Sequence, residues 1–485
     1  MQLHTWDAVR ALPHPTSLYS FRSLALAIGV ILPLSACAMQ SYEAAPLTEE
    51  DFEQFTREHF VAPPDVDSSE PFDLTLAADL LRMRSPDLRE ALARYNAAVA
   101  VAGIDTPWPN PSLSLTPSFA FHSVAIPNQV VSGAGISFAI PFGDRIGLQD
   151  ALHLAEAHAA RADALTAFDE NALQLRADFM RLAVHRIRDA RYAELAEISN
   201  RLVTQAHELV DAGVATALDV SQFQLDAARV RSAVLTSRIG SMDAAYDLGL
   251  LLGMSPSLFG PIPNESLALI PPSVPEIAEL QDRVLEWNPK LIRMRAAYNV
   301  AERALHLEIG KQIPDFQLGG NYGGNVGDRS HVLGLTIGLP FPLFDQNQQA
   351  IARARGQRDL IRTQYESEVH RIWSMVEHAQ SMVRLADEHH AILLESVLPA
   401  ATTYADTARR SIQSGTADAW QLLDAERSLQ SIEIDLIDAW LTRQMAWNSL
   451  ERAVGAPLLE YPEQPQRTPV PPQLAEPVSK NKVDR

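Results

Sequence analysis

From Leu148 to Ala212 the chain runs for 65 residues without a single glycine or proline. Nothing else in the sequence restricts the fold so tightly, since those two residues are the usual means of ending a helix. At ~1.5 Å per residue an unbroken helix of that length reaches roughly 100 Å, whereas a typical globular helix has about 11 to 12 residues. The stretch is rich in the strong helix formers Ala, Leu, Arg and Glu. Leu195, Leu202 and Leu209 recur every seven residues with Ile198 between them, the spacing of a coiled-coil seam. Ala155, Ala159 and Ala162 add small side chains that let helices approach closely. The competing reading is two or three shorter helices joined by breaker-free turns. A second such stretch, Gln357 to Ser414, also lacks glycine and has Pro399 as its one proline. It predicts another long helix with a kink or break near Pro399.

The two stretches belong to an internal duplication. SPDLREALARYNAA (Ser85 to Ala98) aligns with NPKLIRMRAAYNVA (Asn288 to Ala301), which brings Tyr95-Asn96 onto Tyr298-Asn299 at an offset of 203. Ile140-Pro141-Phe142 aligns with Leu339-Pro340-Phe341 at 199; Gly213 aligns with Gly415, and Gly253 with Gly455, at 202. Each copy reads as a helix, a strand pair, a very long helix, a glycine turn and a returning helix. The period is far longer than that of solenoid repeats. The expected boundaries are 72–265 for the first repeat and 266–460 for the second.

Strands are expected near 112–122, 132–141, 315–323 and 331–341. Leu113, Leu115, Phe119 and Phe121 alternate with Ser112, Ser114, Thr116 and Ser118, and Ile136, Phe138 and Ile140 alternate with Ser137 and Ala139. The second repeat does the same with Phe316, Leu318 and Tyr322, and with Leu333, Leu335, Ile337 and Leu339. Such alternation marks strands with one apolar face, and segments of about ten residues suit tilted membrane-spanning strands. Four strands do not close a barrel, and open edges are not tolerated in hydrocarbon. Two copies give 8 strands with a filled interior; three give 12 with room for a lumen. The physics favours a trimer.

Composition narrows the field further. Asp+Glu total 60 against Lys+Arg 40, a net charge of -20, and no dense basic cluster is present, which argues against nucleic acid. With 47% hydrophobic residues the chain is too apolar for general disorder. Its single cysteine, Cys37, excludes an internal disulfide framework and any four-cysteine metal site. Leu24 to Leu34 is an apolar run of 11 preceded by Arg10 and Arg22, the pattern of a secretory signal, assigned to 1–36. Leu34-Ser35-Ala36-Cys37 resembles a bacterial lipobox with Cys37 at the acylated position, and Met39 in place of aspartate suggests sorting to the outer membrane. The polar stretch 37–71 reads as an acylated tether, and the proline-rich 461–485 as a disordered tail. No apolar run of 18 or more, as an inner-membrane helix requires, follows the signal.

Lipobox, duplication, strand pairs and two helices near 65 residues together resemble the TolC-type outer-membrane efflux factors over most of the mature length. The turns AGVATALDV (Ala212 to Val220) and SGTADAWQLL (Ser414 to Leu423) carry part of that resemblance. It implies a mainly α fold with membrane β: a trimeric α-helical barrel continuous with a 12-stranded transmembrane β-barrel. It also implies docking to a periplasmic adaptor (membrane fusion protein) and an inner-membrane pump of resistance-nodulation-division type. The docking tips would be Ala212, Gly213 and Val214 on one hairpin and Ser414, Gly415 and Thr416 on the other; a helix turn without a partner requires the same glycines. Carboxylates just past the turns would form acidic rings at a periplasmic gate: Asp219 matches one position and Asp424 another, while Gln421 stands where an acid is usual. Solvated helix-surface aspartates are the plain alternative. PLFDQNQQAIARARG (Pro342 to Gly356) resembles the branch that serves heavy-metal cation pumps.

The sequence carries no nucleophile elbow, phosphate loop or His-Glu-x-x-His zinc signature, and no enzyme activity or cofactor is expected. Asp387-Glu388-His389-His390 does not have the i, i+3 or i, i+4 spacing of helical metal ligands, nor do His370 and His378. Three readings remain: the exit duct of a tripartite efflux pump, a duct for type I protein secretion, or a structural periplasmic coiled-coil lipoprotein.

Overall fold

The computed structural model describes residues 42–57, 71–119, 130–213, 216–262, 274–325, 330–414, 419–456 and 458. Cys37, Val214, Gly415 and Thr416, with the signal segment, most of the tether and the proline-rich tail, lie outside the described residues. A short unit ending at Thr56 contains helix α1 (Glu49–Thr56), whose first turn is capped by Thr48 and Asp51.

The larger unit repeats one order of elements twice. The first pass is α2 (Leu74–Arg84), α3 (Pro86–Ala102), β1 (Ser112–Phe119), β2 (Val130–Ile140), α4 (Arg145–Asp211) and α5 (Ala217–Leu252). The second is α6 (Ile277–Trp287), α7 (Pro289–Gly310), β3 (Phe316–Asn325), β4 (Ser330–Gly338), α8 (Gln348–Ile392), α9 (Leu398–Gln413) and α10 (Ala419–Val454). The breaker-free stretch is one helix, α4, of 67 residues; the reading as several shorter helices fails. Its counterpart does not break at Pro399. Leu393–Val397 form a π turn that joins α8 to α9 without interruption, and Pro399 falls in the first turn after it. A proline removes one backbone donor and crowds the carbonyl four residues earlier, and the wider turn takes up both effects.

Each long helix starts from a left-handed residue, Asp144 (φ 57°) and Asn347 (φ 60°). Asn347 donates through Nδ2 to the Glu308 backbone oxygen at 2.8 Å, tying the second turn to the end of α7. Each returning helix ends on a glycine, Gly253 (φ 65°) and Gly455 (φ 80°). A Cβ on Gly253 would lie 3.0 Å from the Arg84 carbonyl oxygen, and one on Gly455 2.5 Å from the Asn288 Cα. Both glycines therefore serve conformation and close packing at once, and both press on the joint between the two short helices of their own repeat.

Two matching cores form beside these joints. Leu80, Leu81, Leu175, Phe179, Leu248 and Leu252 pack with Phe72 in the first repeat. Leu280, Val284, Val376, Val383, Trp447 and Leu450 pack in the second. Between the repeats, Glu451 is fully buried and pairs with Arg176 while accepting the Leu458 amide at 2.8 Å. Asn448 Nδ2 donates to the Leu173 carbonyl at 2.9 Å across the same boundary, and within the second repeat Asn288 Nδ2 donates to the Ala453 carbonyl at 2.9 Å.

The four strands form one antiparallel sheet in the order β1-β2-β3-β4, so the two hairpins are joined directly through β2 and β3. β2 and β3 lie within two residues of their expected bounds, β4 ends at Gly338, short of the expected 341, and 120–122 of the first expected strand, with Phe121, lie outside the described residues. No described helix is long and apolar enough to cross a membrane.

Candidate functional site: the sheet and the helix tips

Register settles what each face of the sheet offers. Leu113, Ile136, Gly320 and Leu335 lie side by side across the four strands, as do Leu115, Ala134, Tyr322 and Leu333. Phe138, Leu318 and Ile337 form a third row on the same face. These apolar side chains are open: Leu333 is 85% exposed, Leu335 73% and Leu115 70%. The other face is small and polar, with Ser112, Ser137, Gly319 and Thr336 in one row and Ser114, Gly135, Asn321 and Gly334 in the next. Ser112 and Ser137 hydroxyls are 2.7 Å apart, and Ser114 Oγ donates to the Gly135 carbonyl at 3.3 Å. β1 and β4 each have one edge without a partner strand among the described residues. Tyr322 and His331 stack near the β3–β4 turn, with the phenol oxygen 2.6 Å from Nδ1. Beyond the opposite end of β4, Phe341 is 76% and Phe344 92% exposed. Arg145 reaches Asp315 at 2.8 Å and fastens the start of α4 to the start of β3.

At the far ends of the long helices the first hairpin turns on Ala212 and Gly213, whose φ of 73° has nothing near its Cα to press against. The Gly213 amide donates to the Val210 carbonyl at 2.9 Å. Thr216 then caps α5 in a full capping box: Asp219 Oδ2 accepts from the Thr216 amide and hydroxyl, both at 2.7 Å. Ala206, Val220 and Phe223 form a small apolar cluster behind the turn. On the second hairpin the Ser414 amide donates to the Arg410 carbonyl at 3.1 Å, and the cluster behind it consists of Ala405, Ala408 and Ala425.

The three gate candidates occupy different settings. Asp219 is bound into the cap. Gln421 takes the same register in the second repeat, at the 202 offset that relates the two turn glycines, and is exposed. Asp424 is exposed and accepts from the Tyr404 hydroxyl at 3.1 Å, and this bond holds the phenol above its ordinary pKa. The structure thus places Asp219 and Asp424 on separate hairpins with separate partners. Sequence reasoning missed the groups that lace the hairpins together. Arg409 grips Glu426 through two bonds of 2.6 and 2.8 Å, and Arg427 crosses from α10 to Asp226 on α5 at 3.2 Å. Folding the chain back about the 414 turn sets 404 opposite 424, a pairing the sequence alone could have supplied.

Higher on the first hairpin, His185 lies against Gly240, and its Nδ1 is buried without a hydrogen-bond partner. Burial, then the nearby Arg188, lowers its pKa. Among the described residues, no group of three or more His, Cys, Asp or Glu side chains is placed to hold a metal ion.

The family model described as "Outer membrane efflux protein" matches residues 280–456, from α6 to the glycine that ends α10. Over these residues the second repeat is similar to the outer membrane efflux protein family. The fold extends this likeness to the first repeat as well. The outer-membrane channel OprN superimposes with a TM-score of 0.64 at 20% identity, covering 86% of this chain and 99% of that one. The Campylobacter jejuni CmeC outer membrane channel gives 0.63 at 14% identity, covering 92% and 94%. In sequence the chain is 24% identical over 262 residues to the cobalt-zinc-cadmium resistance protein CzcC of Cupriavidus metallidurans, a match covering 54% of this chain. The chain spans 62% of the length of that relative.

Proposed function

We propose that this protein is the outer-membrane channel component of a tripartite efflux system, a passive exit duct for substrates delivered by an inner-membrane pump and a periplasmic adaptor. The observation that carries the reading is the sheet: apolar rows run in register across all four strands on an exposed face, and both edges are without a partner strand among the described residues. Such a sheet is costly in water and complete only when its edges pair in lipid. Three copies joined edge to edge give a 12-stranded barrel whose Ser/Gly/Asn face lines the lumen. Tyr322 and His331 at one rim, with Phe341 and Phe344 at the other, fit the two membrane interfaces. Unpaired barrel edges and bare lipid-facing rows have no place in a coiled-coil strut, which disfavours the structural reading.

In this reading Cys37, after removal of 1–36, carries the lipid anchor in the Gram-negative outer membrane. Ala212-Gly213-Val214 and Ser414-Gly415-Thr416 meet the adaptor, and a resistance-nodulation-division pump supplies the cargo. The likeness to a cobalt-zinc-cadmium resistance protein supports divalent heavy-metal cations as that cargo; small toxic compounds are the other class. Asp424, repeated three times about the axis, makes a ring of one sign that favours cations and is self-repelling. The test is planar-bilayer recording of the purified oligomer. Asp424→Asn is expected to raise conductance or reduce cation selectivity, and Tyr404→Phe separates the charge from the hydrogen bond. Wild-type conductance and selectivity in both variants would remove this pair from the gate, and the absence of any channel would remove the duct.

A further inference from the structure

Both long hairpins change character at one level, and a polar belt crosses them there. Toward the sheet each hairpin closes on a full core, which ends at Leu182 and Ala244 in the first repeat and at Ala386 and Ala446 in the second. Toward the tips the buried clusters among the described residues are small: Ala206, Val220 and Phe223 behind one turn, Ala405, Ala408 and Ala425 behind the other. At the boundary every helix in the row α5, α4, α10, α8 is tied to the next. The Ser237 hydroxyl on α5 donates to Asp189 on α4, Arg188 on α4 pairs with Asp438 on α10 at 3.3 Å, and Arg443 on α10 pairs with Asp387 on α8.

Each half of the belt holds a half-buried histidine. His185 and His390 are 205 residues apart, and the long helices correspond at an offset of 204, as Phe179 with Val383 shows. The charged neighbours of His185 are Arg181, Arg188 and Asp189 on its own helix and Asp438 on α10; α5 presents the uncharged Ser237 and Gly240 there. His185 Nδ1 and Arg188 Nε are buried without hydrogen-bond partners. His390 has Asp387 and His389 on its own helix and Arg443 on α10. Burial first, and then the adjacent arginine, holds both rings below the ordinary histidine range.

An imidazolium has two N–H donors and no acceptor. The carboxylates that act on each ring are the ones already holding the belt, Asp189 and Asp438 at His185 and Asp387 at His390. A proton on either ring sets it against its present partner for the same carboxylate, and a tie between helices is what gives way. Next to His390 on the tip side, α8 passes into the π turn Leu393–Val397, and such a turn inside a helix often marks a functional site.

We propose that this belt is an acid-sensitive hinge: protonation of His185 and His390 unlaces the four helices where the cores end and frees both hairpins to swing from that level. The hinge belongs to the single chain; that its moving ends form the entrance of a channel rests on the duct proposed above. In that duct acid loosens the tips with no change at Asp219 or Asp424.

Hydrogen exchange read by mass spectrometry on the full-length protein tests the hinge at fixed pH, where wild type and variant share the same intrinsic rates. At about pH 5 the amides of α4 beyond Ala190 and those of α9 are expected to exchange roughly threefold or more faster in the wild type than in His185→Gln/His390→Gln. At about pH 7.5 the two proteins are expected to coincide. Equal exchange at the lower pH overturns the hinge, and so does a difference spread evenly over the cores around Leu80 and Trp447. If the double variant loses helix content by circular dichroism, the wild type still decides. Its protection factors must fall over those two stretches between about pH 7.5 and about pH 5 and hold over the cores, and a uniform fall overturns the hinge. Protein that shows the local exchange difference but forms no channel in planar bilayers upholds the hinge and removes the duct.

Discussion

Asp219 shows how one carboxylate can be asked to do two things. Its Oδ2 satisfies the amide and hydroxyl of Thr216, so the residue is fixed by the start of α5 before any ring of charge is considered. Thr216→Ala removes the side-chain half of that box and is expected to lower stability by about 1 kcal/mol. The measurable sign is faster amide exchange over 216–220, with the core around Trp447 unaffected. Equal exchange in both proteins would show that the tip is held by something other than its cap. Near the end of α10, the returning helix of the second repeat, the buried Glu451 has no such freedom of role. Glu451→Ala leaves Arg176 facing a desolvated gap, and breaking a buried pair on one side typically costs about 3–5 kcal/mol. Chemical denaturation is expected to show a loss of that size, and a change within experimental error would mean that Arg176 finds solvent.

At the scale of elements, the long helices are held less by propensity than by what packs beside them. α4 packs against α3, α5, α7 and α10. The first hairpin is pinched where His185 meets Gly240. His185 is held below its ordinary pKa near 6.5 by burial, so the unfolded chain takes up the proton first. Stability from this group is complete above about pH 6.5 and declines as pH falls toward the depressed folded value. Thermal melts are expected to show a lower transition at about pH 5 than at about pH 7.5, with part of that difference lost in His185→Gln. An identical acid shift in the variant would assign the effect to other groups. His390 on α8 is likewise lowered by burial.

For the whole molecule the decisive contrast is between the two faces of one sheet. Leu335 and Thr336 are neighbours on β4 that point in opposite directions. In a barrel, Leu335→Lys puts a charge into lipid at about 2–4 kcal/mol near the midplane, whereas Thr336→Lys stays in water and alters selectivity. Detergent-resistant oligomer yield is expected to fall for the first and hold for the second. The reverse ranking would place lipid on the serine face and invert the barrel.

The pattern of breakers was enough to give the long helices, and period-two alternation was enough to give all four strands, because both depend on local sterics and on which residues prefer water. The duplication was legible for the same reason: turn glycines and helix starts leave marks at fixed offsets. Pro399 shows what local rules leave open: the sequence predicts a kink or a break near it, and the structure has a π turn at Leu393–Val397 without a break. The Arg427–Asp226 link, between residues 201 apart in the chain, depends on which helix faces lie together, and no single window of sequence contains that.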